Sequence, residues 1–449
     1  MRSYHLLVFL CICLQLLISC KKLEGPEISA GDADFKRTVA IGGDFFTGYE
    51  NASLYRDGQT KSVPELLSRQ FELVGGGVFS QPLMPDDDGL GLNAKPWESD
   101  FNARSELGYK TDCEGTEGLS PLKTLFDKDV ATSYLSRVGS GYHNLAVPHA
   151  KIKDFFDPNL GISWSDGNSN PYYHRFATSP GNSTVAEDAL AQNPTFGLFW
   201  AGMEDIFEYA RFGGRGQTLL SSSEFSNYLD SLISPFIANG AKGAIANIPD
   251  LENFPYYTLV EYNRAELSLG QADSLNEQYE VGGADHIVFA EGKNAFVISD
   301  TSHVMGFRQM EEGEYILLTV PLDSMRCFFY GLLINLIHDR YSLDQYEMQL
   351  IHDAIDGYNQ AIQQKADEYD LALVDMNAYF KSVKSGIKWN GVDFDSEFVS
   401  GGFFSLDGYH PNQKGYALIT NEFIKAINGK YNAVIPTVNC FDCKGVEFP

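Results

Sequence analysis

The sequence predicts an α/β chain built on a five-stranded parallel sheet covered on both faces by helices. Two observations carry that expectation: short apolar runs that stop at glycine, asparagine or proline, and stretches of helical spacing between them. The first run, Arg37 to Ile41, is followed by Gly42 and Gly43, the punctuation of a buried strand entering a tight turn. The same pattern recurs at His143 to Val147, Thr195 to Gly202, Gly243 to Pro249 and Leu371 to Met376. Strands separated by helices require crossovers, which makes the sheet parallel. Helices are expected at Val63 to Phe71, Ser222 to Asn239, Leu343 to Tyr369 and Gly415 to Asn428. In the third of these, Tyr346, Leu350, Ile355, Ala361 and Ala366 track one face and Asp344 stands ready to cap. Tracts at about 84–140 and 255–330 are rich in Gly, Pro and Asp, with short strand-like pieces such as His286 to Phe289 and Tyr315 to Leu318. They read as insertions on the loop side of the sheet, where open α/β folds bind ligands. No internal repeat is visible.

A formal net charge of −27 leaves no basic footprint for phosphate, so nucleic acid is not an expected partner. The first twenty residues combine Arg2 with an apolar run from Leu6 to Ile18, too short to span a bilayer and suited to secretion. Its end, Leu17-Ile18-Ser19-Cys20, resembles the lipobox of bacterial lipoproteins, in which the cysteine becomes the lipidated first residue. Cys20 is therefore expected to anchor the chain to a membrane of the cell envelope, the outer membrane, on either its periplasmic or surface face. Residues 21–34 read as a polar tether, 35–430 as the globular domain and 431–449 as a C-terminal tail. Of the remaining cysteines, Cys113, Cys327, Cys440 and Cys443, the last two form a Cys-x-x-Cys without a second pair or a nearby His. A small disulfide or free thiols in an oxidising compartment are expected there, rather than zinc or redox catalysis.

Several blocks occur in a recognisable order. They are Gly48 to Gln59, Asn144-Leu145-Ala146-Val147-Pro148, Ala191 to Thr195 with Trp200 and Gly202, Asn247-Ile248-Pro249-Asp250, and Gly401 to Pro411 with Asp407-Gly408-Tyr409-His410 at its centre. Together these make the chain resemble an SGNH (GDSL-type) hydrolase, of the lipoprotein kind found in Bacteroidetes, across most of residues 37–430. The resemblance implies a three-layer α/β/α sandwich of flavodoxin-like form and cleavage of ester bonds, including acetyl groups on glycans. It also implies a serine after the first strand, a His–Asp pair to activate it, and Gly and Asn donors for the oxyanion, because a hydroxyl is a poor nucleophile until a base takes its proton.

His410 and Asp407 match that base and its orienter, while the rest departs. Aligned without gaps through Gly48-Tyr49, Asp44 occupies the serine position; aligned on Gly-Asp, Phe45 does. Neither carries a hydroxyl, and Thr47, the nearest one, lies on the turn. His149 stands in the region of the glycine donor and Glu204 at that of the oxyanion asparagine, where a carboxylate would repel the developing charge. Three readings follow. The old cleft binds a glycan or other ligand without cleaving it, with Trp97, Tyr172, Tyr173, Tyr256 and Tyr257 as candidate contacts. Alternatively, Asp44, His149, Glu204, Asp407 and His410 gather as ligands of a divalent metal that activates water, although no ligand spacing signals a metal and no cofactor is otherwise expected. Or the chain remains an esterase, acting on a carbohydrate acetyl ester or lipid through a replaced nucleophile.

Overall fold

The computed structural model describes residues 27–92, 101–123, 125–126, 135–163, 169–333 and 335–449. Strand β1 (Thr38–Gly42) leads into helix α1 (Val63–Leu73), and the first insertion follows with a hairpin of β2 (Glu106–Thr111) and β3 (Glu117–Leu122). Then come β4 (Phe196–Trp200), α2 (Met203–Ala210), α3 (Ser222–Ala238) and β5 (Lys242–Ala246). The second insertion contains α4 (Leu269–Val281) and α5 (Leu322–Phe328), before α6 (Gln345–Glu368), β6 (Ala372–Val374) and α7 (Gln413–Tyr431).

The central sheet is parallel in the order β1, β4, β5, β6, with Ala40 opposite Leu198, Leu198 opposite Ala244, and Ala244 opposite Ala372. The fifth expected strand lies beside β1 as a looser edge. Ala40 N–H donates to His143 O, Leu145 N–H to Ala40 O and Val147 N–H to Gly42 O, which brings residues 143–147 alongside β1, although only Ala40 and Asn144 register as a bridge. Pro148 ends the segment, so the pairing is short. Every residue of β1 and β4 is buried, as a sheet sandwiched between helices requires. Helices α1 and α7 pack together over one face, and α3 and α6 over the other.

The helices follow their capping chemistry. Asp344 accepts from Glu347 N–H and Glu347 reaches back to Asp344 N–H, a capping box that starts α6. The buried stripe of α6 runs through Met348, Ile351, Ile355, Tyr358, Ala361, Ile362 and Ala366, whereas Tyr346 lies on the opposite side and is solvent-exposed. The second insertion is more organised than its loop-like composition suggests. Val260, Leu275, Ile287, Val297, Ile298, Ile337 and Tyr341 belong to a core separate from that of the sheet. Tyr315 and Ile316 pair with Leu343 and Ser342, while 286–289 is not a strand. A disulfide between Cys113, at the tip of the β2–β3 hairpin, and Cys327 in α5 joins the two insertions across 214 residues of sequence. Cys440 and Cys443 are buried free thiols. The C-terminal tail is docked: Val434 pairs with Ser29, and Asn421 of α7 holds Val438 through both its N–H and its carbonyl.

Candidate functional site

The site grows out of the C-terminal edge of the sheet. Register pairs Gly42 of β1 with Trp200 of β4, so the turns that follow leave the edge together and carry Asp44 and Glu204 to one spot. A Cβ on Gly43 would fall 2.0 Å from the Glu204 carboxyl carbon, so glycine here permits the approach. Val147 N–H, bonded to Gly42 O, brings Pro148-His149 in beside them. His149 takes φ +60°, a left-handed conformation that favours glycine and costs a β-carbon roughly 1 kcal/mol. Asp407 and His410 arrive on a tight turn closed by Ser405 N–H donating to His410 O.

Asp44 is the hub, and no part of it reaches solvent. Its N–H donates to Glu204 Oε1 at 2.7 Å. Its Oδ1 accepts from His149 N–H at 2.7 Å, and its Oδ2 lies 3.2 Å from His410 Nε2 and 3.3 Å from His149 Nδ1. His410 Nδ1 lies 3.0 Å from Asp407 Oδ2, which also accepts from Ala52 N–H, while Asp407 Oδ1 accepts from the N–H groups of Tyr409 and His410. Both nitrogens of His410 thus face carboxylates. Of the two residues the sequence left open at the serine position, Asp44 faces His410, and Phe45 packs against Trp200 and Phe380. The Thr47 hydroxyl donates to Asp44 O and plays no part in the cluster.

Burial and charge act against each other in this cluster. Burial pushes the His410 pKa down, but the Asp407 charge and hydrogen bonds to Asp407 and Asp44 outweigh it and bring the value up to about 10. Burial raises Asp407, yet His410 and the backbone donors hold it at about 2. Asp44 is likewise lowered: burial opposes ionisation, and the two imidazoles and the His149 N–H overcome it. Burial, then the Asp44 charge, lift Glu204 well above the carboxylate range, so it sits beside Asp44 as a neutral acid. Burial also lowers His149, against the pull of Asp44. At neutral pH the cluster is therefore an imidazolium, His410, held between two carboxylates, with a neutral imidazole and a neutral acid at its side.

Asp44 forms no wall of the cleft above. His149, His410, Tyr49, Phe207 and Tyr409 are its floor, and the cavity measures about 410 Å³. Lys110, Ser120 and Pro121 of the hairpin and Pro321 to Ser324 of the second insertion form its roof. Roof segments are joined by the disulfide, by Arg326 to Asp112 at 2.7 Å and by Lys110 to Asp323 at 2.5 Å.

The five residues singled out from the sequence, Asp44, His149, Glu204, Asp407 and His410, come together. They form a set of hydrogen bonds and close charge contacts centred on Asp44; among the described residues no group of three His, Cys, Asp or Glu side chains is disposed to hold a metal. The aromatic contacts need correction: Tyr172, Tyr173 and Tyr257 are core residues, and only Tyr256 lines the cleft. Tyr172 and Tyr173 are drawn inward because Asn170 caps the turn that carries them and their hydroxyls bond Leu90 O and Asp188. Trp97 and Cys20 lie outside the described residues. Sequence reasoning missed Glu208 and Arg211, which follow Glu204 by one and two helical turns on α2 and its C-cap; the four-residue spacing of Glu204 and Glu208 was the available signal. Glu208 lies 3.7 Å from His149 Nδ1 and 3.1 Å from Arg211 Nε.

Among solved structures, the chain is similar to a lipolytic protein of the G-D-S-L family from Desulfitobacterium hafniense, at 9% identity and TM-score 0.33, covering 87% of this chain and 99% of that one. A GDSL-like lipase from Parabacteroides merdae matches at 8% identity and TM-score 0.35, covering 89% and 99%. An acetylxylan esterase from Geobacillus stearothermophilus matches at 9% identity and TM-score 0.35, covering 88% and 95%. No curated protein matches. The model of the family described as GDSL-like Lipase/Acylhydrolase matches residues 116–423, which includes β4, α2 and the Asp407–His410 turn and begins beyond Asp44. The chain belongs to the GDSL-like lipase/acylhydrolase family.

Proposed function

We propose that this chain is a ligand-binding member of its family, tethered to the cell envelope through Cys20, that holds a glycan or other ligand in its cleft without serine-type ester hydrolysis. The observation that carries this reading is that the protein's own carboxyl groups occupy the groups acyl transfer would use. Such transfer needs a hydroxyl, a base with a free lone pair and N–H donors aimed at the oxyanion. Asp44 offers no hydroxyl, and His410, protonated up to about pH 10, has no lone pair to give. The N–H of Asp44 is spent on Glu204 and that of His149 on Asp44. Losing even one oxyanion donor costs about 3 kcal/mol of transition-state stabilisation.

The retained pair of His410 and Asp407 favours a second reading, ester hydrolysis with a replaced nucleophile. Hydrolysis of a small acetyl ester and of acetylated xylan separates the two. The purified protein and its Asp44→Ser variant are both expected to be inactive, the variant because Glu204 still occupies the neighbouring N–H. Turnover by the wild type that disappears in His410→Ala would overturn the binding reading. For the tether, acylation at Cys20 is expected by mass spectrometry, with release from the membrane fraction in Cys20→Ala. The disulfide between the insertions supports an oxidising compartment outside the cytosol.

A further inference from the structure

The cleft floor carries buried polar atoms that make no hydrogen bond inside the protein. The His149 side chain is only 7% exposed, yet neither ring nitrogen makes a hydrogen bond that meets normal geometry. Arg211 is 11% exposed, and its Nε makes no hydrogen bond that meets normal geometry. It is held by an ion pair from Nε to Glu208 at 3.1 Å and lies over the Phe212 ring at 4.4 Å. The buried hydroxyl of Tyr409 also lacks a partner. Native proteins leave few buried polar groups unsatisfied, so several along one wall of a cavity ask for a ligand that supplies what is missing. All three residues line the cleft.

For Arg211 what is missing is an acceptor, and its charge can be argued. A guanidinium already held at Nε by a carboxylate presents its remaining donors as a fork, and the group that matches a fork is a planar carboxylate. Glu208, Asp407 and Asp323 stand nearby, which disfavours a dianion and leaves room for one negative charge. Beside the donors, the stacked rings of Phe207 and Tyr409, 3.8 Å apart, with Leu318 and Leu406, give the ligand an apolar surface.

We propose that Arg211 and His149 form a carboxylate-binding subsite and that the cleft takes a monoanionic ligand with an apolar face, either an acidic sugar or a fatty acid. The proposal rests on the ligand-binding reading above. His149 in its neutral form, with Nδ1–H toward Asp44, has only a lone pair at Nε2; a bound carboxylate lets it take a proton from solvent and donate from Nε2. The groups around it are Asp44, Glu208, Arg211, His410, Tyr49 and Tyr172, and its Nε2 makes no hydrogen bond with any of them. Binding is therefore accompanied by uptake of about one proton and weakens as pH rises.

Isothermal titration of the full chain with a xylo-oligosaccharide bearing a single glucuronate, the methyl ester of that acid, octanoate and a neutral xylo-oligosaccharide tests this. The expected result is that one of the two acids binds about 10- to 100-fold more tightly than any neutral probe, and that Arg211→Met removes this margin while leaving the neutral probes unchanged. Which acid binds tells sugar from acyl chain. Proton uptake, read from titrations in buffers of different ionisation enthalpy, is expected in wild type and absent in His149→Gln. Neutral probes binding as well as acids overturn the carboxylate subsite while leaving the cleft as a binding site. Failure of every probe overturns both. The comparison of acid with ester uses wild-type protein alone, so a variant that fails to fold leaves the test intact.

Discussion

The floor and the roof of the cleft are held by different physics. The floor is a closed set of buried charges at the end of the parallel sheet, with Asp44, Asp407 and His410 each satisfied by the others and by backbone N–H groups. The roof consists of two insertions from distant parts of the chain, joined by one covalent bond and by ion pairs at the surface. In the floor, removing one charge strands another where water cannot replace it. In the roof, water is available as a substitute for most of what is lost. The same kind of contact, an acid against a base, therefore carries very different weight in the two places.

Asp44→Ala should give the largest effect. It leaves the imidazolium of His410 with one carboxylate and the His149 N–H with none, and a loss of about 3–5 kcal/mol in urea unfolding is expected. A loss below 1 kcal/mol would mean that the floor is not the closed charge set described. Next comes the roof's covalent link. Changing Cys113 and Cys327 together to serine releases a constraint spanning 214 residues and should cost about 2–5 kcal/mol, matched by the wild type under reductant. If reduction leaves unfolding unchanged, the roof is held by something other than the disulfide.

The dependence of stability on pH belongs to the floor and has a definite sign. Asp407 titrates at about 2 in the folded chain against roughly 4 unfolded. Its contribution, about 2–3 kcal/mol, is therefore present above pH 4 and lost as pH falls through 2. His410 titrates at about 10 against roughly 6.5, so its contribution is whole below pH 6.5 and lost as pH rises through 10. Burial raises Glu50 and Asp205 to about 7, which removes stability as pH climbs from roughly 4 toward 7. Denaturant unfolding across pH should show a maximum near pH 4–5, and a maximum at pH 7 or above would contradict these assignments. The smallest effect is expected at the roof's surface: Lys110→Ala removes an exposed pair with Asp323 and should cost less than about 1 kcal/mol, with high salt weakening the wild-type pair in the same direction.

Much of the scaffold was legible because its signals are local. The buried strands β1, β4 and β5 read as apolar runs, and Asp344 announces α6 through a capping box four residues long. Helix α4 was hidden because it buries only Ala272, Leu275 and Tyr279 and shows almost no apolar periodicity. The site residues came from motif order, but their relation to one another did not. Nothing in the sequence says that Asp44 would face both His149 and His410, or that Glu204 would turn to the N–H of Asp44, since those contacts depend on the register of β1 with β4. The link from Cys113 to Cys327 is equally non-local, and no spacing rule reaches across 214 residues.

His149 gives a last consequence. Its backbone sits where glycine would be at ease, its ring is buried without hydrogen bonds, and it stands beside carboxylates that themselves resist burial. Each of these features works against folding, and a substitution to glycine would relieve the strain in a single step. The fold therefore carries at position 149 a cost that glycine would not, and the imidazole is the part of the cleft held against the interest of stability.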